Sequence, residues 1–378
     1  MAKTIKKILL IFSILLIILI GGLVYLLSDK PTMITPFTYQ VSEHVNLGLK
    51  EAEAADVLIV GDRMGLYLNN FLSPLVENLN KDLKRELKIY NWSREKEGLH
   101  RTFYKLKKLK KLPPVIIYQG GSYEWFDKKY DEKEKRKILF NFRQFENEKI
   151  ISSIITFPFL SKLFYKKVKM FPILNLDPKQ KVNQSTNYDA KELDFLYYKY
   201  ELNEMVDYIK QNKSNVILIT TPLNLLIPPR ETCAESTTNT IVEVQQEIED
   251  QIKNGDYKNA YNSAKLLEKE SVANAKTHFL LGLTAKHNNE IISARDALSK
   301  ATLFDCYNWR GNSVFNSIIL QTAIDYQTQV IDFEKETSFA NLQDEQVYID
   351  EIFPQNIYYN NLINELTIIV KKYLNITI

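Results

Sequence analysis

The stretch Ala55-Asp56-Val57-Leu58-Ile59-Val60-Gly61-Asp62-Arg63-Met64-Gly65 decides how the rest of the chain is read. Four apolar residues, Val57 to Val60, run straight into Gly61 and Asp62, and a helical pattern follows. A strand buried on both faces that ends in a tight turn reads this way. In open parallel sheets the loops at the carboxyl ends of the strands build the site, so chemistry is expected beside Gly61-Asp62-Arg63.

Working outward, the same texture recurs. Leu87–Tyr90 reads as a second strand that ends at Asn91-Trp92-Ser93, and Pro113 to Gly121 as a third strand with its turn. Asn215 to Pro222 reads as a fourth and Val330–Phe333 as a weaker fifth. Helical patterns fill the intervals, Leu66 to Leu87 and Leu99 to Leu112 among them. Lys105 to Lys111, in the second of these, is expected to be a solvated face, with anionic lipid or glycan as the alternative partner. Residues 127–213 are too apolar for a linker and are expected to form helices over the sheet or facing a membrane. Strands alternating with helices predict a doubly wound, flavodoxin-like, parallel five-stranded α/β sheet.

Residues 240–304 differ. Gly255-Asp256-Tyr257-Lys258-Asn259-Ala260 is echoed 34 residues later by Asn289-Glu290-Ile291-Ile292-Ser293-Ala294. Gly282, Ala294 and Ala301 stand where paired tetratricopeptide helices need small residues. An inserted helical hairpin repeat is therefore expected between strands four and five, with a protein partner as its natural ligand.

The N-terminus carries Lys3, Lys6 and Lys7, followed by Ile8 to Leu27 without a charge. That length crosses a bilayer as a helix, and the flanking lysines predict a cytoplasmic N-terminus with the remainder outside. A cleaved signal peptide has a shorter apolar core ending in small residues, whereas this run ends Val24-Tyr25-Leu26-Leu27-Ser28-Asp29-Lys30. The expected organisation is a basic N-terminus and signal anchor over 1–30, a connector over 31–54, an α/β domain over 55–239 and 305–378, and the insertion over 240–304. The expected address is the inner membrane of a bacterial envelope, with the C-terminal domain outside the cytoplasm.

Composition sets further bounds. The 378 residues carry 49 basic and 46 acidic side chains. With no basic tail or recognition motif, nucleic acid is not expected as a partner. The two cysteines, Cys233 and Cys306, leave open a disulfide or two separate thiols. No metal or other cofactor is expected.

Taken together, the strand ends resemble the SGNH (GDSL-type) hydrolase superfamily, in the form with a tetratricopeptide-like insertion, over roughly residues 55 to 372. The family's Gly-Asp-Ser is matched by Gly61-Asp62-Arg63 except at the serine. Gly98 stands for its oxyanion glycine. Gly121-Ser122-Tyr123-Glu124-Trp125 stands for its Gly-x-Asn block, with tyrosine in the asparagine place. Asp350-Glu351-Ile352-Phe353-Pro354 stands for Asp-x-x-His-Pro, with phenylalanine in place of histidine. Thr221-Pro222-Leu223-Asn224, Asp305 to Arg310 and Asn316 to Ile319 are similar to other family segments.

The resemblance implies an ester hydrolase scaffold, and the residues imply that its chemistry is gone. Arg63 has no lone pair for attack and Phe353 accepts no proton. Losing the nucleophile or base of such a triad costs on the order of 10⁶ in rate, and an oxyanion donor about 10²–10³ more. Ser73, Ser93 and Ser122 are the nearest substitute nucleophiles. Of the four histidines, His44, His100, His278 and His287, none lies at a strand end near Asp350. His278 and His287 read as packed or surface residues of the insertion, and His100 borders the old site. Arg63 is expected either to form a buried ion pair with Asp62 and Asp350, or to open a pocket for a carboxylate or other anion, such as an envelope glycan, with Asp62, Tyr123 and Asp350 around it. The expected function is a non-catalytic binding or scaffold protein of the envelope. The alternative is an esterase or acyl-group-modifying hydrolase of envelope glycans that uses displaced residues.

Overall fold

The computed structural model describes residues 2–28, 32–34, 48–81, 86–125, 127, 166–168, 188–230, 238–307 and 309–375. The chain divides into two compact units, one of residues 1–41 and 128–172 and the other of 42–127 and 173–378. In the first, helix α1 spans Ala2–Ser28, and strand β1 (Thr32–Ile34) pairs in parallel with β5 (Lys166–Val168). Among the described residues no helix is long and apolar enough to cross a membrane. Apart from β5, the expected helices over residues 128–187 lie outside the described residues, as does the connector between Ile34 and Gly48.

The second unit is an α/β layer structure. Helix α2 (Leu49–Ala54) leads into β2 (Val57–Gly61). Then come α3 (Arg63–Tyr67), α4 (Leu72–Asn80), β3 (Ile89–Asn91), α5 (Leu99–Leu106), β4 (Val115–Gln119), α6 (Tyr188–Gln211) and β6 (Asn215–Ile219). Helices α7 (Asn239–Lys253), α8 (Tyr257–Glu270), α9 (Ala275–His287) and α10 (Ile291–Phe304) follow. The chain ends with α11 (Ser313–Asp325), β7 (Gln329–Ile331), α12 (Phe333–Leu342) and α13 (Asn356–Tyr373). The five strands β3-β2-β4-β6-β7 form one sheet in that order, every pair parallel, as the apolar runs predict.

Such a sheet is stable only when both faces are covered, which is why its strands lack polar alternation. Val57, Ile59, Val115, Ile117, Ile217, Ile219 and Ile331 meet Leu75 and Leu79 of α4 and Leu362 and Leu366 of α13 on one face. Leu58, Val60, Ile116, Val216 and Leu218 are buried on the other, where α5, α6 and α11 pack. Each such side chain contributes about 1.5–3 kcal/mol by its burial. The expected single helix from Leu66 to Leu87 is instead α3, a 3₁₀ turn over Leu68–Phe71 and α4.

Helices α7 to α10 pack each on the next. Two of their turns share a geometry 34 residues apart. Gly255 and Asn289 both take a left-handed φ, at 77° and 62°. Asp256 and Glu290, which follow them, sit at φ −84°, ψ 60° and φ −90°, ψ 65°. A Cβ on Gly282 would come within 2.5 Å of Leu298 Cγ, so the close approach of α9 to α10 requires glycine there. Ala294 and Leu298 of this hairpin pack with Leu223, Leu225 and Leu342. Arg295 forms an ion pair with Glu334 of α12.

Candidate functional site

The sheet order reverses direction between β2 and β4, and the crevice at their carboxyl ends is where parallel α/β sheets bind ligands. Two glycines let the backbone turn there. Gly61 has φ 143°, and a Cβ on it would sit 1.8 Å from the Gln119 carbonyl oxygen. Gly121 has φ 103°.

Asp62 fastens the two loops together. Its Oδ1 accepts from Met64 N at 2.8 Å, capping α3. Its Oδ2 accepts from Ser122 N at 2.7 Å and from Ser122 Oγ at 2.6 Å. Burial pushes the Asp62 carboxyl above the usual range, and these hydrogen bonds and the neighbouring Arg63 only partly oppose it.

Arg63 occupies the mouth of the crevice. Its guanidinium carbon stands 4.9 Å from the centre of the Tyr123 ring and 5.9 Å from that of Phe353. Phe353 in turn stacks on Tyr67 at 4.3 Å. Burial pushes the Tyr123 phenol up, against the pull of Arg63, and Glu95 and Asp62 push the same way as burial. Among the described residues Arg63 forms no ion pair, and its buried Nε has no hydrogen-bond partner. The expected buried ion pair with Asp62 and Asp350 is thus not formed. Asp62 is spent on Met64 and Ser122. Asp350 is exposed, and its Oδ1 accepts from Ile352 N and Phe353 N, closing the turn that presents the Phe353 ring.

Residues 62, 63, 123 and 353 therefore converge, with Asp350 supporting the turn behind Phe353. Gly98 does not join them as a free donor, because its N–H donates to Asp127 Oδ2 at 2.9 Å.

Comparison of the chain with protein-family models, curated proteins and solved structures finds no match. The functional reading rests on the geometry.

A second constellation, which the sequence reading missed, begins where the loop of Ser122 and Tyr123 continues. Glu124 Oε1 accepts from Leu99 N at 2.7 Å, so two carboxylates cap the first turn of α5. Asp127 also binds Arg101 Nε and lies 3.5 Å from His100 Nε2. Glu97 accepts from Thr102 Oγ1 and pairs with Lys105 Nζ at 2.7 Å, and Lys105 also donates to the Trp92 carbonyl. All of these side chains are buried. Lys105 is thus a correction to the expected solvated face. Burial pulls its ammonium down and pushes Glu97 up, each against the other's attraction. Burial alone would raise Asp127, but His100, Arg101 and the Gly98 N–H overcome it and hold the carboxyl below its usual value.

The substitute catalytic groups are engaged elsewhere. Ser122 Oγ serves Asp62, and Ser73 is exposed on α4. Ser93 Oγ is buried without a hydrogen-bond partner among the described residues. Its close neighbour is Gly65, where a Cβ would stand 2.6 Å from it. His278 binds the Val272 carbonyl and stacks on Phe304, and His287 stacks on Tyr257. Burial lowers both histidines. His44 lies outside the described residues. Among those residues no cluster of His, Cys, Asp and Glu is arranged to hold a metal ion.

At the foot of the insertion, Asn316 binds both N–H and carbonyl of Thr221, and Arg310 donates to the carbonyls of Asn224 and Ile227. Burial pulls Arg310 down to about 10. Cys306 beside it is disulfide-bonded, and the chain's other cysteine, Cys233, lies outside the described residues. A cavity of about 380 Å³ between α6, α10 and α11 has largely apolar walls. Its buried Lys191, pulled to about 8 by burial, donates to the carbonyls of Leu303 and Asp305 at the end of α10.

Proposed function

We propose that this is a membrane-anchored, SGNH-hydrolase-like protein of the cell envelope that binds an anionic ligand at a site no longer equipped for hydrolysis. The observation that carries the reading is Arg63, a cation set between two aromatic rings at the mouth of the crevice, with no acidic partner among the described residues. A guanidinium there favours a carboxylate or phosphate, which it grips through paired N–H donors. An acidic envelope glycan fits the aromatic walls of Tyr123, Phe353 and Tyr67.

The same geometry weighs against turnover. Arg63 stands where attack would begin, Phe353 where the base would stand, and the hydroxyl nearest to Asp62 is locked against it. Helices α7 to α10 offer a surface for a protein partner, and the apolar run of α1 supplies the anchor. A disulfide at Cys306 fits an oxidising compartment. The competing enzyme reading draws on Ser93, buried and without a hydrogen-bond partner among the described residues.

Hydrolysis of p-nitrophenyl acetate by the purified full chain separates the two. The expected rate equals that of the Arg63→Ala variant and of buffer. Turnover abolished by a single change, Ser93→Ala or Ser122→Ala, would establish the enzyme instead.

A further inference from the structure

We infer that the cavity between α6, α10 and α11 is a second ligand site, built for an apolar carboxylic acid whose carboxylate meets Lys191. It shares no residue with the Arg63 crevice and does not depend on the reading above.

The walls follow from helical spacing. Lys191, Phe195 and Lys199 stand four residues apart on α6 and so line one face of it, with Glu192 and Leu196 beside them. Leu303 and Phe304 at the end of α10 and Ile318 of α11 form the other sides. The five apolar side chains of this set are only half-buried, whereas Phe315, on which Phe195 packs, is fully buried. The cavity of about 380 Å³ falls within the range of small-molecule sites, roughly 300–1,000 Å³.

One buried cation is set in that wall. Lys191 is 7 % exposed and donates to the carbonyls of Leu303 and Asp305 at 2.8 and 2.9 Å. Those bonds cap the end of α10 and use two of the ammonium's three N–H groups. Its other neighbour is the Trp125 ring, 5.9 Å away. Among the described residues no carboxylate pairs with it. Asp305 attracts the ammonium, but its two oxygens accept from Arg230 N and Tyr307 N instead. Burial pulls Lys191 down to about 8, which leaves it charged at neutral pH. A buried ion is costly unless it is both paired and hydrogen-bonded, and the cap supplies only the second.

The walls select the occupant. A sugar needs partners for its hydroxyls, and beyond Lys191, Glu192 and Lys199 the described lining side chains are apolar. Two lysines against one glutamate favour an anion over a cation. A single carboxylate on a hydrocarbon body satisfies the ammonium and the walls together.

The test titrates the full chain calorimetrically with decanoate, decanol and decyltrimethylammonium, each below its micelle concentration. Decanoate is expected to bind at least about tenfold more tightly than decanol, the gain of a charge-assisted hydrogen bond, and the cation most weakly. Ile318→Trp fills the cavity from the α11 side, keeps the ammonium, and is expected to abolish decanoate binding. Lys191→Met is expected to bring decanoate to the level of decanol, while Arg63→Ala changes neither. Equal affinity for decanoate and decanol in the unaltered chain overturns the role of Lys191, whether or not its variant folds. So does a preference for decanoate that persists in Lys191→Met. Decanoate binding that survives Ile318→Trp, or that Arg63→Ala abolishes, overturns the site.

Discussion

The two ends of the loop 121–127 hold buried charge in opposite ways. At one end Asp62 is surrounded by neutral donors, and the cation beside it, Arg63, faces aromatic rings instead of an acid. At the other end Asp127, Glu97, His100, Arg101 and Lys105 pair acid with base around the first turns of α5. Buried ions are costly unless paired and hydrogen-bonded. The α5 cluster meets that condition and reads as structure. Among the described residues the Arg63 crevice has no paired acid, and an acid missing beside a half-buried guanidinium is what a ligand would supply.

The sharpest way to break this comparison is to unpair the α5 cluster. Lys105→Met strands the Glu97 carboxylate, and removing one partner of a buried pair costs about 3–5 kcal/mol. Chemical denaturation is expected to register that loss, with most of it recovered in the double variant Lys105→Met, Glu97→Leu. At the other end, Arg63→Ala is expected to leave stability nearly unchanged, since Arg63 forms no ion pair among the described residues. A loss as large as that of Lys105→Met would make Arg63 a structural pillar.

The pH dependence of the two aspartates sharpens the contrast with a smaller effect. Asp127 has its folded value below the unfolded one, so its contribution is present above about pH 4 and is lost as pH falls through the folded value. Asp62 has its folded value above the unfolded one, so its contribution is present below about pH 4 and is lost as pH rises through the folded value. Melting temperatures followed from pH 3 to 7 are expected to lose part of their acid-side fall in Asp127→Asn. Asp62→Asn is expected to lose the opposite slope. Parallel profiles for the two variants would contradict the assignment of cause.

These regions also differ in how far the sequence discloses them. Val57–Val60, Val115–Gln119 and Asn215–Ile219 are legible because a strand buried on both faces must be apolar throughout. The turn at Gly61-Asp62 is legible because a chain cannot approach Gln119 that closely with a side chain. Arg63, Tyr123 and Phe353 meet although they lie up to 290 positions apart.

What stays hidden is the pairing. Arg101 and Lys105 fall on a face of α5 that any periodicity reads as solvated, and their partners lie outside the helix, in Glu97 just before its start and in Asp127. Ser122 looks like a spare nucleophile until Asp62 is found to hold it. Asp350 looks like a triad acid until its carboxylate is found closing its own turn.

The central claim is that Arg63 holds an anion. It is tested most directly by titrating the full chain and its Arg63→Ala variant calorimetrically with an acidic glycan fragment, using glucuronate oligosaccharides against neutral glucose oligosaccharides. The account predicts binding of the acidic series alone, weakened at least about tenfold by the substitution, the loss expected for a charge-assisted pair worth about 1.5–3 kcal/mol. Acidic-fragment binding that survives Arg63→Ala unchanged would contradict it.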